Sequence, residues 1–273
     1  MLGAIIGDIV GSVYEWHNIK TKDFPLFRDD CFFTDDTVMT IATADAIMNG
    51  GEVDNFIDAY KKWGRLYPDA GYGGRFGSWI HSDDRKPYSS WGNGSAMRVS
   101  PCAEYAFKSL YPGDRPENSI VHARQLANIS AGVTHNHPEG IKGAEATVYC
   151  IMMAYGYGLE AAKKHIREDV PLLFGYDLTG TLDEIRPTYH FSESCQDTVP
   201  QAIIAFLEST DLEDAIRNAI SLGGDSDTLA VITGSIAEAA YGVPDEIKVK
   251  ALSFLDKPLT EVYERWVAFI RNR

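Results

Sequence analysis

Two short stretches concentrate the acids. Phe33-Thr34-Asp35-Asp36-Thr37 and Gly223-Gly224-Asp225-Ser226-Asp227-Thr228 each set two carboxylates beside hydroxyl side chains. Each runs directly into an apolar, Ala-rich segment, residues 38–48 in the first case and 229–240 in the second. Segments that are apolar or small on nearly every face read as helices buried on all sides. The acids then sit at helix N-termini, where exposed N–H groups and the helix dipole favour negative charge. One Asp would serve as a cap; two at each of two helices are more than capping needs. Held close together and partly dry, such carboxylates repel unless a cation sits between them. Carboxylates and Thr hydroxyls, without Cys or an obvious His, favour Mg²⁺ or Mn²⁺ over Zn²⁺. Four Asp from two helix ends can bridge two such ions, roughly 3.5–4 Å apart in two-metal sites generally. The chemistry is then hydrolysis or group transfer at an oxygen-rich substrate.

Two further motifs bear on that substrate. Gly92-Asn93-Gly94-Ser95 precedes a short helical stretch and can present successive backbone N–H groups to an anion. The same residues equally fit a tight turn that uses Gly for positive φ. Thr134-His135-Asn136-His137 invites a metal reading, against which stands a hydrogen-bonded structural role for both histidines.

The elements that must position these groups are helices. Gly3, Gly7 and Gly11 recur every four residues in an opening apolar helix. They share one face and permit close packing against another element. That helix is expected to end near Tyr14, with Glu15 at its end. Residues 17–33 have no periodicity and read as a mobile lid. Residues 52–67 form an amphipathic helix, and 71–77 a glycine-rich loop. Pro101 starts a helix in its first turn. Further helices are expected at 117–131, 138–157 and, with a polar face, 159–170; residues 171–193 look irregular. Ser194 to Pro200 caps a helix at 201–207, with Asp197 as the cap and Pro200 in the first turn. Asp211 opens a helix that stops at Gly223-Gly224, and two amphipathic helices, 245–254 and 259–270, follow. Alternating β-branched strands and linkers are absent. One all-α domain over residues 1–273 is the economical reading.

Bulk properties narrow the partners. The chain has 273 residues, 45% of them hydrophobic, and a formal net charge of −14. That charge argues against non-specific binding to nucleic acid or anionic membrane, but leaves room for a small anionic ligand. Cys31, Cys102, Cys150 and Cys195 show no CxxC pairing and read as buried free thiols. Asp8 interrupts the apolar start, so no signal peptide is expected. No stretch reaches the roughly 18 apolar residues of a membrane span, and a cytoplasmic location is expected.

Together these residues resemble the ADP-ribosylglycohydrolase family, the group that includes dinitrogenase-reductase-activating glycohydrolase. The resemblance covers essentially the whole chain. It rests on Gly7-Asp8-x-x-Gly11-Ser12-x-Tyr14-Glu15, the two acidic stretches, Gly92-Asn93-Gly94-Ser95-x-Met97-Arg98, and Thr134-His135 with Gly143-Ala144 downstream. It implies a single-domain orthogonal multi-helix bundle with a dinuclear Mg²⁺ or Mn²⁺ centre at the bottom of a cleft. The implied ligands are Thr34, Asp35, Asp36, Asp225, Asp227 and Thr228. Gly92, Asn93, Gly94, Ser95, Met97 and His135 would line the diphosphate and ribose pocket. Glu15 matches a glutamate that, in some members, lies beside the scissile bond; Glu15, Asp36 and Asp225 would carry the chemistry. The implied activity is release of ADP-ribose from a modified protein side chain or another acceptor.

Two rivals remain. A binuclear amidohydrolase using His135 and His137 would need a (β/α)₈ barrel, against which the helical pattern argues. Some lens crystallins share the resemblance, so a structural or passive ADP-ribose-binding role is the non-enzymatic alternative; it would not require all the cluster acids.

Overall fold

The computed structural model describes residues 1–109 and 116–273, and among these the only β-type pairing is an isolated bridge between Gly92 and Ser194. In chain order the helices are α1 (Leu2–Gly11), α2 (Asp35–Met48), α3 (Val53–Leu66), α4 (Gly74–His81), α5 (Gly94–Met97), α6 (Ser100–Lys108), α7 (Pro116–Gly132), α8 (Pro138–Gly156), α9 (Leu159–Phe174), α10 (Leu182–Ile185), α11 (Cys195–Leu207), α12 (Leu212–Ser221), α13 (Ser226–Tyr241), α14 (Asp245–Leu252) and α15 (Lys257–Arg271). The all-α, one-domain expectation is met in its helical character. Among the described residues no helix is long and apolar enough to cross a membrane. All four cysteines are buried free thiols.

α13 is the hub: it packs against α1, α12, α11 and α8, and every residue from Ser226 to Ala237 is buried. α2, buried from Asp36 to Ile47, lies against α3, α15, α1 and α6. α1 is a poor helix by propensity, because each of its glycines costs about 1 kcal/mol relative to Ala. Ile5, Ile6, Ile9 and Val10 are each fully buried, and burial contributes about 1.5–3 kcal/mol per side chain, so packing wins. The glycine stripe faces α13. A Cβ at Gly7 would lie 2.2 Å from the Ala230 carbonyl oxygen, and one at Gly11 2.4 Å from the Asp227 Cα. Backbone therefore meets backbone, and the N-terminus of α13 is brought beside the C-terminal half of α1.

Several boundaries differ from the sequence expectation. α1 ends at Gly11 rather than near Tyr14: the Ser12 hydroxyl donates to the Ile9 carbonyl and accepts the Phe32 N–H, turning the chain so that Tyr14 packs edge-on against Phe24. The expected 71–77 loop gives way to α4 from Gly74, which buries Phe76, Trp79 and Ile80. α11 begins at Cys195, not at 201. Ser194 is its cap, accepting the Asp197 N–H, while the Asp197 carboxylate accepts the Ser192 and Ser194 hydroxyls; Pro200 lies inside the helix. α9 runs through Pro171 to Phe174, and the irregular 171–193 stretch contains α10.

Residues 17–33 are tied down rather than lid-like. Asn18 clamps Gly224 from both sides, donating to its carbonyl at 2.9 Å and accepting its N–H at 2.6 Å. Lys20 donates to the Tyr189 and Leu222 carbonyls, Arg217 to those of Lys22 and Phe24, and Phe24 is buried.

At the C-terminal end of α2, Asp45 is a buried acid with a full set of partners. It accepts from the Trp63 Nε1 at 2.8 Å and the Lys62 Nζ at 2.9 Å, with Arg265 at 3.3 Å. Burial works to raise its carboxyl, but the hydrogen bonds and charges of these partners outweigh it and hold the group below the usual carboxylate range.

Candidate active site

The N-termini of α2 and α13 meet beneath a cleft, and α1 adds an acid between them. Asp8, fully buried, accepts the Thr34 N–H (2.9 Å), the Thr37 N–H (3.0 Å) and the Thr34 hydroxyl (2.7 Å). It thereby binds the first turn of α2. Thr34 itself caps α2 by accepting the Asp36 N–H, so Asp35 and Asp36 are not needed as caps. Asp36 accepts the Thr228 hydroxyl at 3.2 Å through Oδ2, while its Oδ1 is buried without a partner. Asp225 stands at the cap position of α13 yet makes no side-chain cap bond; its Oδ2 instead accepts the Asn93 Nδ2 at 2.7 Å. Gly223 and Gly224, at φ +69° and +74°, provide the left-handed turn that delivers Asp225 to this place.

The acids fall into two groups that share one member. Single oxygens of Asp8, Asp36 and Asp227 lie within 4.8 Å of one another, as do single oxygens of Glu15, Asp225 and Asp227. The Thr34 hydroxyl sits among them, 3.4 Å from Asp227 and 3.5 Å from Asp36. Asp35 lines the cleft but belongs to neither group, and Thr228 lines it too.

Burial, with like charge added, dominates the electrostatics. Desolvation first, and then neighbouring acids, push the Asp35, Asp36 and Asp227 carboxyls well above the usual range. Asp8 is raised by burial despite its hydrogen bonds. Asp225 is raised to about 6 by burial, and Glu15 to about 8 by burial and then the charges of Asp227, Asp8 and Glu193. The ion pairs of the described residues lie elsewhere, on acids such as Asp45, Glu145 and Glu213. Oxygen-only donors, mutual repulsion and the orphaned Asp36 oxygen all fit hard divalent cations, with Asp227 common to two positions.

The upper cleft is lined by Gly92, Asn93, Gly94, Met97 and His135. Ser95 departs from expectation: it is fully buried, and its hydroxyl donates to the Gly140 carbonyl at 2.7 Å, away from the cleft. The expected anion cradle is also reduced. The Gly92 N–H is donated to the Ser90 hydroxyl and the Asn93 N–H to the Glu193 carbonyl. His135 is buried, with Nδ1 2.7 Å from the Thr134 hydroxyl, which also accepts from Arg98. Burial, then the nearby charges of Arg98 and Arg75, pushes His135 well below its ordinary range, so the ring is neutral. Nε2 is the ring nitrogen that lies nearest Gly92 and Gly94. His137 lies apart; its ring caps α8 by accepting the Glu139 N–H, which removes the His-x-His metal pair.

The sequence reading missed Asp8 as a site residue. Its signal was present: a lone carboxylate inside an otherwise apolar helix face must be satisfied by something specific.

Comparison with known proteins gives a family and a fold. The sequence model described as ADP-ribosylglycohydrolase matches residues 1–267. The ADP-ribosylhydrolase ARH3 of Mus musculus is 25% identical, the match covering 89% of this chain and 83% of that protein. The ADP-ribosyl-[dinitrogen reductase] glycohydrolase of Rhodospirillum rubrum is 25% identical over 97% of this chain and 92% of its own. A solved structure titled ADP-ribosylglycohydrolase-related protein complex superposes with a TM-score of 0.64 at 24% identity, covering 93% of this chain and 94% of the other, and so shares the fold.

Proposed function

This chain belongs to the ADP-ribosylglycohydrolase family, and we propose that it is a Mg²⁺- or Mn²⁺-dependent hydrolase that releases ADP-ribose from a modified side chain or another acceptor. The observation that carries this reading is the pair of acid groups joined at Asp227, buried at the cleft floor. Asp8, Asp36 and Asp227 would hold one ion, and Asp225 and Asp227 a second, with Glu15 beside it. Such ions supply Lewis acidity and fixed coordination for substrate oxygens when bound.

The chain's own groups do the rest. Asn93 holds Asp225 in place through its amide, and Asp8 locks the first turn of α2 so that Asp36 faces Asp227. Neutral His135 presents Nε2 to the phosphate or ribose oxygens of a ligand beside Gly92 and Gly94, whose missing Cβ atoms leave room next to the ring. Glu15, at the edge of the acid group and half-buried, is placed to move a proton at the leaving group while charge develops on the anomeric carbon.

The test is ADP-ribose release from conjugates of defined linkage, with Mg²⁺, with Mn²⁺ and after chelation. Chelation should stop turnover. Asp225→Asn with Asp227→Asn should lower it by more than about 100-fold while circular dichroism stays helical. Full activity in the double variant would refute the reading.

A further inference from the structure

Glu15 stands on a stretch of main chain that has little hold of its own. Among the described residues, no main-chain to main-chain hydrogen bond involves residues 15–27. α1 has already ended at Gly11, and the neighbouring Trp16 is 72% exposed. Side chains supply the hold instead, and next to Glu15 the residue that does so is Asn18. Its Nδ2 donates to the Tyr14 and Glu15 carbonyls, each at 2.8 Å, and to the Gly224 carbonyl at 2.9 Å. Its Oδ1 accepts the Gly224 N–H at 2.6 Å. The three carbonyls can only accept and the N–H can only donate, so the amide has one orientation. Two of these bonds, to residues three and four positions back, make an ordinary local turn. The exchange with Gly224, 206 positions away, does not. Gly224 directly precedes Asp225, and single oxygens of Glu15, Asp225 and Asp227 lie within 4.8 Å of one another. One side chain thus ties the main chain under Glu15 to the main chain leading into Asp225.

We propose that Asn18 is a positioning residue, which fixes Glu15 relative to Asp225 by holding both segments through one amide. The proposal rests on the hydrolase reading above, in which Glu15 moves a proton and Asp225 holds a cation. An amide suits this task because it offers donors and an acceptor in one plane, whereas a carboxylate has no donor and an ammonium no acceptor. Lys20 is the internal comparison. Its Nζ donates to the Leu222 and Tyr189 carbonyls, so it anchors the same turn, but its bonds among the described residues reach neither Tyr14 nor Glu15. Both residues secure the loop; Asn18 alone of the two also grips the segment that carries Glu15.

The test sets Asn18→Ala and Asn18→Asp against Lys20→Met, each assayed at saturating Mn²⁺. Asn18→Ala should lower kcat for ADP-ribose release by about 10–100-fold with KM within about twofold, and weaken Mn²⁺ binding, read by titration calorimetry, by about tenfold. Asn18→Asp keeps an acceptor for the Gly224 N–H but loses the donors. It should lose kcat to a similar degree while Mn²⁺ binding stays within about threefold. Lys20→Met should leave kcat within about twofold, whatever it costs in melting temperature. Because Asn18 acts through Glu15, adding Asn18→Ala to Glu15→Gln should lower the residual kcat by less than about threefold. An equal loss in Lys20→Met, a fully additive loss on Glu15→Gln, or undiminished kcat in both Asn18 variants would overturn the proposal. Hydrogen exchange in the metal-free protein needs no turnover. Asn18→Ala should speed exchange in residues 12–18 and in 222–228 together, by about tenfold, and unchanged exchange in either segment would also overturn it. Absence of ADP-ribose release by the unaltered protein, with the exchange and Mn²⁺ effects intact, would instead count against the hydrolase reading.

Discussion

The two ends of α2 put buried carboxylates into opposite situations. Asp45, at the C-terminal end, meets the Trp63 indole, Lys62 and Arg265, and its carboxyl lies below the usual range. Asp36, at the N-terminal end, meets Asp8, Asp225 and Asp227; its carboxyl is driven up, and one oxygen has no partner. Both are buried, so burial alone does not distinguish structure from function. What distinguishes them is who supplies the opposite charge. At Asp45 the fold supplies it. At Asp36 the fold supplies only more carboxylate, which is the observation behind the cations proposed above.

The contrast can be tested from both sides. The largest stability effect should come from Asp45→Ala, which orphans the Trp63 N–H and opens a small void. About 2–3 kcal/mol should be lost in urea unfolding, while the folded fraction keeps turnover within about twofold. A smaller effect is expected from pH. Carboxyls raised by burial and neighbouring acids, Asp225 to about 6 and Glu15 to about 8, hold their protons more tightly in the native state than when unfolded. Their contribution is fully present below about pH 4 and is lost as pH rises through the native values. Metal-free protein should therefore melt on the order of 5 °C lower at pH 8 than at pH 5, measured by calorimetry, and added Mn²⁺ or Mg²⁺ should abolish the difference. A melting temperature that rises over that interval would break the comparison. The smallest effect should be Asp36→Asn, which keeps the Thr228 hydrogen bond but removes a repelling charge. In chelator at pH 8 it should gain about 1 kcal/mol, the opposite sign to Asp45→Ala, while losing turnover.

Much of this was legible in the sequence, and the reasons differ by residue. The two Asp pairs stood out because they exceed what capping requires, and the glycine stripe because its four-residue spacing fits one helix face. Asp8 was passed over because one acid in an apolar run resembles an interruption until the first turn of α2 is seen folded onto it. The start of α11 was misplaced because Pro200 reads as a first-turn residue; only the Ser194–Asp197 exchange reveals the true cap. α4 was hidden by its glycines, since its helical state depends on Phe76, Trp79 and Ile80 packing against α3. Ser95 reads as a ligand contact because it closes the Gly92–Ser95 run that could cradle an anion, whereas its hydroxyl is claimed by the Gly140 carbonyl. Residues 17–33 read as mobile because their anchors, Asn18 and Lys20, bond to carbonyls about 200 positions away.

The glycine contact between α1 and α13 sets a limit on how this protein can change. With the main chains touching at Gly7 and Gly11, no side chain spaces Asp8 from Asp227. The interval between those acids is a fixed dimension of the scaffold, and repacking cannot widen or narrow it by degrees. By contrast Trp16, Trp91 and Phe191 are exposed, so the loops that bear them can change without moving the floor.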